Sequence, residues 1–137
     1  MHVNSVHERI IARPVREVFA DLVAMGTPAD RIWPAPKLPF VRSAGAMTVG
    51  ATTERHGPIR AVLQGYVPDA TICWRADLPF LQGTHAFEVQ PVGPDRTQVR
   101  HVLDARVAWW FAPLWRLQVA SAHDRILEAL LTRLAEA

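Results

Sequence analysis

The stretch from Pro113 to Leu134, PLWRLQVASAHDRILEALLTRL, decides the fold. Trp115, Val119, Ala122, Ile126, Leu130 and Leu134 recur at helical spacing and share one stripe, while Asp124, Arg125, Glu128 and Glu136 lie away from it. The spacing predicts a long amphipathic helix from about Pro113 to Leu134. Its stripe needs a covering surface, and the residues before it supply one. From about residue 40 to residue 107 the chain reads as short alternating segments with almost no helical periodicity. A meander of antiparallel strands laid over one long helix implies a curved sheet wrapped around it, an α+β arrangement that encloses a cavity.

Turn residues punctuate that meander. Thr52–His56 and Ile59–Tyr66 flank Gly57-Pro58, a turn dipeptide, and Pro68-Asp69 supplies the next turn. Ile72, Trp74 and Ala76 alternate along the following strand, and a loop over residues 77–82 leads to Gly83. His85, Phe87 and Val89 alternate next, ended by Pro91-Val92-Gly93-Pro94-Asp95. Thr97, Val99, His101, Leu103 and Ala105 share one face of the last strand. At the other end of the chain, Val3, Val6, Ile10 and Ile11 mark a first strand without fixing its register, since Ile10 and Ile11 cannot both face inward. The count is six or seven strands.

Two helix signals follow the first strand. Pro14 suits a first helical turn, Val15, Val18, Phe19, Leu22 and Val23 keep helical spacing, and Gly26 is a stop. Thr27 and Pro28 are placed to open a short second helix, as N-cap and first helical residue. Pro34, Pro36 and Pro39 then deny regular structure as far as Phe40.

At 137 residues the chain is one domain, 1–137, long enough to bury roughly 68% of its unfolded surface. The net charge is +2, Lys37 is the sole lysine, and the arginines are scattered, so the basic stripe of a nucleic-acid partner is missing. A single cysteine, Cys73, rules out an internal disulfide and has no local basic partner to activate it. The longest apolar run, Val107 to Trp115, falls short of the ~20 residues of a membrane span, so no integral membrane segment is expected. No leader pattern opens the chain, and the expected location is cytoplasmic. Gly-rich phosphate loops, Gly-x-Ser-x-Gly and the dinucleotide fingerprint do not occur, which disfavours nucleotide and serine-hydrolase chemistry and leaves no cofactor implied.

Several segments resemble one superfamily. Ile11-Ala12-Arg13-Pro14-Val15-Arg16-Glu17-Val18-Phe19 looks like the lead-in to the first helix of START / Bet v 1-like (SRPBCC) proteins, with Arg13 where a small residue is usual. Gly83-Thr84-His85-Ala86-Phe87-Glu88-Val89, followed by Gly93-Pro94-Asp95-Arg96-Thr97, is similar to the last hairpin of bacterial members of the polyketide cyclase/dehydrase-like branch. The resemblance implies a helix-grip fold over the whole chain. It implies no fixed catalytic signature, because that fold hosts carriers, receptors and cyclases alike.

Candidate chemistry centres on histidine, whose pKa suits proton transfer near neutrality. By strand parity His85 and His101 face inward, and His123 lies near the centre of the helical stripe. Together with Trp74, Phe87, Val99, Trp110, Trp115 and Val119 they are the candidate ligand-binding residues. His85, His101 and His123 are also the candidate proton-transfer residues; the plainer reading of each is a core histidine bonded to backbone or water. No metal site is expected, because His-x-His, His-x-x-x-His and His-Glu-x-x-His pairs are all lacking. Glu54 shares a face with His56 among small and polar neighbours, which do not fix whether that face is the cavity; a solvent-facing carboxylate is expected there ahead of a buried general base. The Trp109-Trp110-Phe111 cluster beside Trp115 reads as core or cavity wall, and after these as an interface. The function expected is capture of a hydrophobic, aromatic or polycyclic small molecule between sheet and helix, with or without cyclase/dehydrase-like chemistry. The alternatives are a lipid or quinone carrier or sensor, or an interaction module acting through the aromatic patch. A homodimer is a possible assembly.

Overall fold

The computed structural model describes all 137 residues. Strand β1 (His2–Ile11) is followed by helix α1 (Val15–Ala24) and the short β2 (Phe40–Arg42). Then come β3 (Thr53–His56), β4 (Ile59–Val67), β5 (Thr71–Asp77), β6 (Leu81–Gly93) and β7 (Arg96–Val107). The seven strands form one antiparallel sheet in the order β1-β7-β6-β5-β4-β3-β2. The chain ends in a continuous helical run: α2 (Ala112–Leu114), a π-helical stretch Trp115–Val119, and α3 (Ala120–Glu136). This is the helix-grip arrangement expected, with one short helix after the first strand.

Register follows the burial of alternate residues. Ile11 is buried and Ile10 is half exposed, so β1 turns its odd-numbered residues inward and Val6 outward. Thr97, Val99, His101, Leu103, Ala105 and Val107 are all buried along β7, as their alternation predicts. Leu127, Leu130, Leu131 and Leu134 are buried on α3, whereas Ile126 is only half-buried. The apolar face is therefore wider than the single stripe read from the sequence, as a helix laid against a curved sheet requires.

Two local readings are corrected. Thr27 and Pro28 do not open a second helix. The Thr27 hydroxyl donates to the Ala24 carbonyl at 2.6 Å and accepts from the Ala29 N–H at 3.2 Å. Asp30 accepts from the N–H groups of Gly26, Ile32 and Trp33 at 2.9–3.1 Å. These side chains spend their capping capacity on closing a loop. Gly26, at φ +82°, makes that loop possible, since a Cβ there would meet the Phe40 ring and the Arg42 nitrogen at 2.7 Å. The second correction is the loop at 77–82. It is a tight turn over Leu78–Phe80, closed by reciprocal bonds between Leu78 and Leu81, and β6 has already begun at Leu81.

Arg13 joins the two ends of the fold. Its guanidinium pairs with the buried carboxylate of Asp21 at 2.8 Å and donates to the Leu134 carbonyl at 2.8 Å. Arg13 thus satisfies one of the carbonyls that the end of α3 leaves without an intrahelical partner. The sequence departure from a small residue at this position has a structural use.

Candidate functional site

A cavity of about 400 Å³ lies between the sheet and the C-terminal helix. Seventeen of its 24 lining residues are hydrophobic, and its polar side chains are those of His56, His85, His101, His123 and Gln118. No arginine, lysine or carboxylate lines it. The π-helical stretch supplies Trp115, Gln118 and Val119 to the wall, and α3 supplies His123 and Ile126. In that stretch the Ala120 N–H reaches back five residues to the Trp115 carbonyl. Such π-turns are frequent at functional sites.

Six candidate residues converge on this cavity: His85, Phe87, His101, Trp115, Val119 and His123. Three do not. Trp74 and Val99 are buried in the core on the inward face but form no part of the wall. Strand parity tells which face a residue occupies, not how far along the strand the cavity extends. Trp110 is 54% exposed, in a turn after β7 where no periodicity holds, and Trp109 beside it is 83% exposed. The core reading of that pair is overturned; Phe111 and Trp115 alone of the cluster reach the cavity.

Glu54 is the larger correction. Far from facing solvent, it is 2% exposed, and both its oxygens are engaged. His85 Nε2 lies 2.9 Å from Oε1 and His56 Nδ1 2.8 Å from Oε2. Burial by itself raises the Glu54 pKa, but the hydrogen bonds and charges of His56 and His85 outweigh it and hold the pKa near 2. The carboxylate stays ionised behind the cavity wall. Its reach depends on a floor of small residues: Ala61 pairs with Glu54 across β3–β4, and Ala76 pairs with Gly83 across β5–β6.

Five histidines, four on the sheet and His123 on α3, form a continuous row between sheet and helix. Ring centroids are 6.1 Å apart from His56 to His85, 5.6 Å from His85 to His101, 5.7 Å from His101 to His123, and 6.0 Å from His123 to His7. At the far end His7 bonds to Glu128 at 2.7 Å and to Asp124 at 3.0 Å. Burial, reinforced by the neighbouring imidazoles, pushes the His101 pKa well down, and burial pushes that of His123 to about 4. Both rings stay neutral at physiological pH. His101 Nδ1 is buried with no hydrogen-bond partner, an orphan that a bound molecule's polar atom can satisfy. Cys73 plays no part here; burial raises its thiol pKa.

His7, and the burial of Glu54 beside His56, escape a sequence reading centred on the hydrophobic strands. The one available signal was the period-2 face Thr52, Glu54, His56, whose first two members are buried.

No family model matches the chain, and no curated protein is similar to it in sequence. Solved structures of the same shape do exist. The di-domain ARO/CYC StfQ from the steffimycin biosynthetic pathway superposes with TM-score 0.71 at 14% identity, over 99% of this chain and 50% of that one. An Aha1 dimer from Colwellia psychrerythraea gives TM-score 0.68 at 15% identity, over 98% and 95%. A protein from Nitrosospira multiformis gives 0.71 at 15%, over 98% and 94%. At such identities the likeness concerns the fold, and the fold it shows is of the helix-grip type.

Proposed function

We propose that this protein binds a hydrophobic, aromatic or polycyclic small molecule between sheet and terminal helix, and that His85 moves a proton on it in cyclase/dehydrase-like chemistry. The observation that carries the reading is the cavity itself: apolar walls, no permanent charge, and four imidazoles with Gln118 as its polar side chains. When Nε2 of His85 donates to the Glu54 carboxylate, the neutral ring carries its lone pair on Nδ1, the form a general base needs. Glu54 orients that imidazole, as a buried carboxylate does behind a catalytic histidine. Holding a flexible ligand in one conformer supplies the remaining rate gain. The likeness to an ARO/CYC protein supports the chemistry by analogy of fold only.

The test is native mass spectrometry of the purified protein for a co-purified hydrophobic compound, repeated on His85→Phe. Retained fold with lost turnover and unchanged affinity supports catalysis. Retained fold with weakened affinity alone supports a carrier or sensor of a lipid or quinone. A cavity that captures no apolar compound, including added polycyclic phenols, overturns both.

A second reading concerns assembly. Trp109, Trp110, Leu114 and Leu117 are 83%, 54%, 43% and 80% exposed, four large apolar side chains close together in sequence that meet solvent. No helix of the chain is long and apolar enough to cross a membrane. We assign this group to contact with a second copy, and sedimentation of Trp109→Ser/Leu117→Ser against the parent decides it. A parent protein that sediments as a monomer at high concentration removes the homodimer.

A further inference from the structure

At the far end of the histidine row, two imidazoles and a carboxylate from separate elements meet outside the Glu54 site. His7 projects from the inward face of β1, at a position paired with His101 of β7, and His123 and Asp124 are consecutive on α3. His7 Nε2 lies 3.0 Å and His123 Nδ1 3.7 Å from the same atom, Asp124 Oδ1. The ligand-capable atoms of all three residues fall within 4.8 Å of one another. The imidazoles are mostly enclosed, with side chains 13% and 22% exposed, and Asp124 is 56% exposed, so a cation can enter from solvent.

We propose that His7, His123 and Asp124 form a binding site for one divalent zinc-class cation, at the end of the cavity where His123 also belongs to the wall. Two nitrogens and one carboxylate oxygen are the donor set of an open zinc site, whose remaining position is left to water. Glu128 completes the design. It accepts from His7 Nδ1 at 2.7 Å, which fixes the tautomer that leaves Nε2 to the metal, the carboxylate–histidine–metal arrangement. Arg9 holds Glu128 in turn at 3.1 Å, keeping that carboxylate beside the ring and away from the ion.

The His7 contacts alone are those of an ion-pair network; the placing of His123 is not. At Glu54 the two imidazoles take opposite oxygens of one carboxylate, which is what two separate hydrogen bonds demand. At Asp124 His7 Nε2 sits 3.0 Å and His123 Nδ1 3.7 Å from a single oxygen, the second too long for a hydrogen bond, so the three donor atoms gather round one point without being bonded pairwise. The sequence spacing hid this site, because the donors come from β1 and α3, more than a hundred residues apart.

Isothermal titration of EDTA-washed protein with ZnCl₂ tests it. One equivalent should bind, and His7→Phe, His123→Phe and Asp124→Asn should each weaken binding by more than the roughly 10–100-fold that Glu128→Gln should cost as an outer-shell change. His2→Asn removes the exposed His2–Asp104 pair and should leave affinity unchanged. Should a variant fail to fold, histidine side-chain NMR of the parent protein decides alone: zinc should displace the His7 and His123 ring signals and spare His2. Absence of stoichiometric binding, affinity indifferent to these three residues, or zinc displacing the His56 and His85 signals first would each overturn the proposal.

Discussion

Glu54 on β3 and His85 on β6 are hydrogen-bonded at 2.9 Å although two whole strands, β4 and β5, lie between them in the sheet. Three inter-strand spacings amount to about 14 Å along a flat sheet. The two side chains meet because the sheet curls and because the intervening floor carries Ala61, Ala76 and Gly83 in place of bulky residues. Replacing Glu54 by Ala leaves two imidazoles beside an empty, buried site. Breaking a buried pair from one side costs ~3–5 kcal/mol, and urea unfolding should register a loss of that size. A loss below about 1 kcal/mol, the worth of an exposed pair, would mean that the contact is absent in solution.

The same carboxylate sets a pH dependence. A folded-state pKa near 2, below the ordinary 4.5, means that Glu54 contributes stability that is fully present above about pH 4.5 and lost as the pH falls toward 2. The stability difference between the parent and Glu54→Gln should therefore shrink through that window. Unfolding measured at several pH values between 2 and 7 checks it, and a difference that grows on acidification would contradict the sign.

Gly83→Ala should be among the most damaging small substitutions. At φ +156° a Cβ on Gly83 would sit 2.3 Å from the Asp104 carbonyl oxygen and 2.5 Å from the Ala105 Cα, both of them backbone atoms of β7. Neither can yield as a flexible side chain could, so the expected cost is at or above the ~1–3 kcal/mol of ordinary overpacking. Thermal unfolding would show it, and a titration with an apolar ligand should show the cavity wall displaced as well.

Arg13→Ala removes the tie between the first strand's end and the last turn of α3. Leu134 loses a donor to its carbonyl, and Asp21 keeps only Arg31, whose side chain is 57% exposed. Because that partner remains, the expected loss is about 2–3 kcal/mol, below the full value for an orphaned buried charge. Hydrogen exchange at the end of α3 should accelerate along with it, while Arg13→Lys should recover part of both effects.

Much of this architecture was legible wherever burial follows a period. The inward face of β7 from Thr97 to Ala105 and the helical positions Leu130 and Leu134 obey simple alternation, because the solvent lies on one side and the core on the other. Parity brought His85 and His101, and helical spacing His123, to one cavity. It could not tell Trp74 and Val99 from true wall residues, since position along a strand is set by where the sheet curls and where α1 packs. Nor could it reveal Glu54. A glutamate between Thr53 and Arg55 has no apolar neighbour in sequence to announce its burial, and its partner His85 lies 31 residues away. His7 met Asp124 and Glu128 for the same reason, through closure of the sheet over the helix.

The π-turn at Trp115–Val119 separates two inheritances in one helix. A π-turn holds about one residue more than an α-turn over the same arc, so removing a single codon within it would restore ordinary α-helical winding with the flanking turns nearly in place. Leu127, Leu130, Leu131 and Leu134 would keep their seats in the core, while the wall residues of the stretch itself, Trp115, Gln118 and Val119, would be re-aimed. Descendants of this chain can thus reshape the mouth of the cavity by one insertion or deletion, without renegotiating the residues that make it fold.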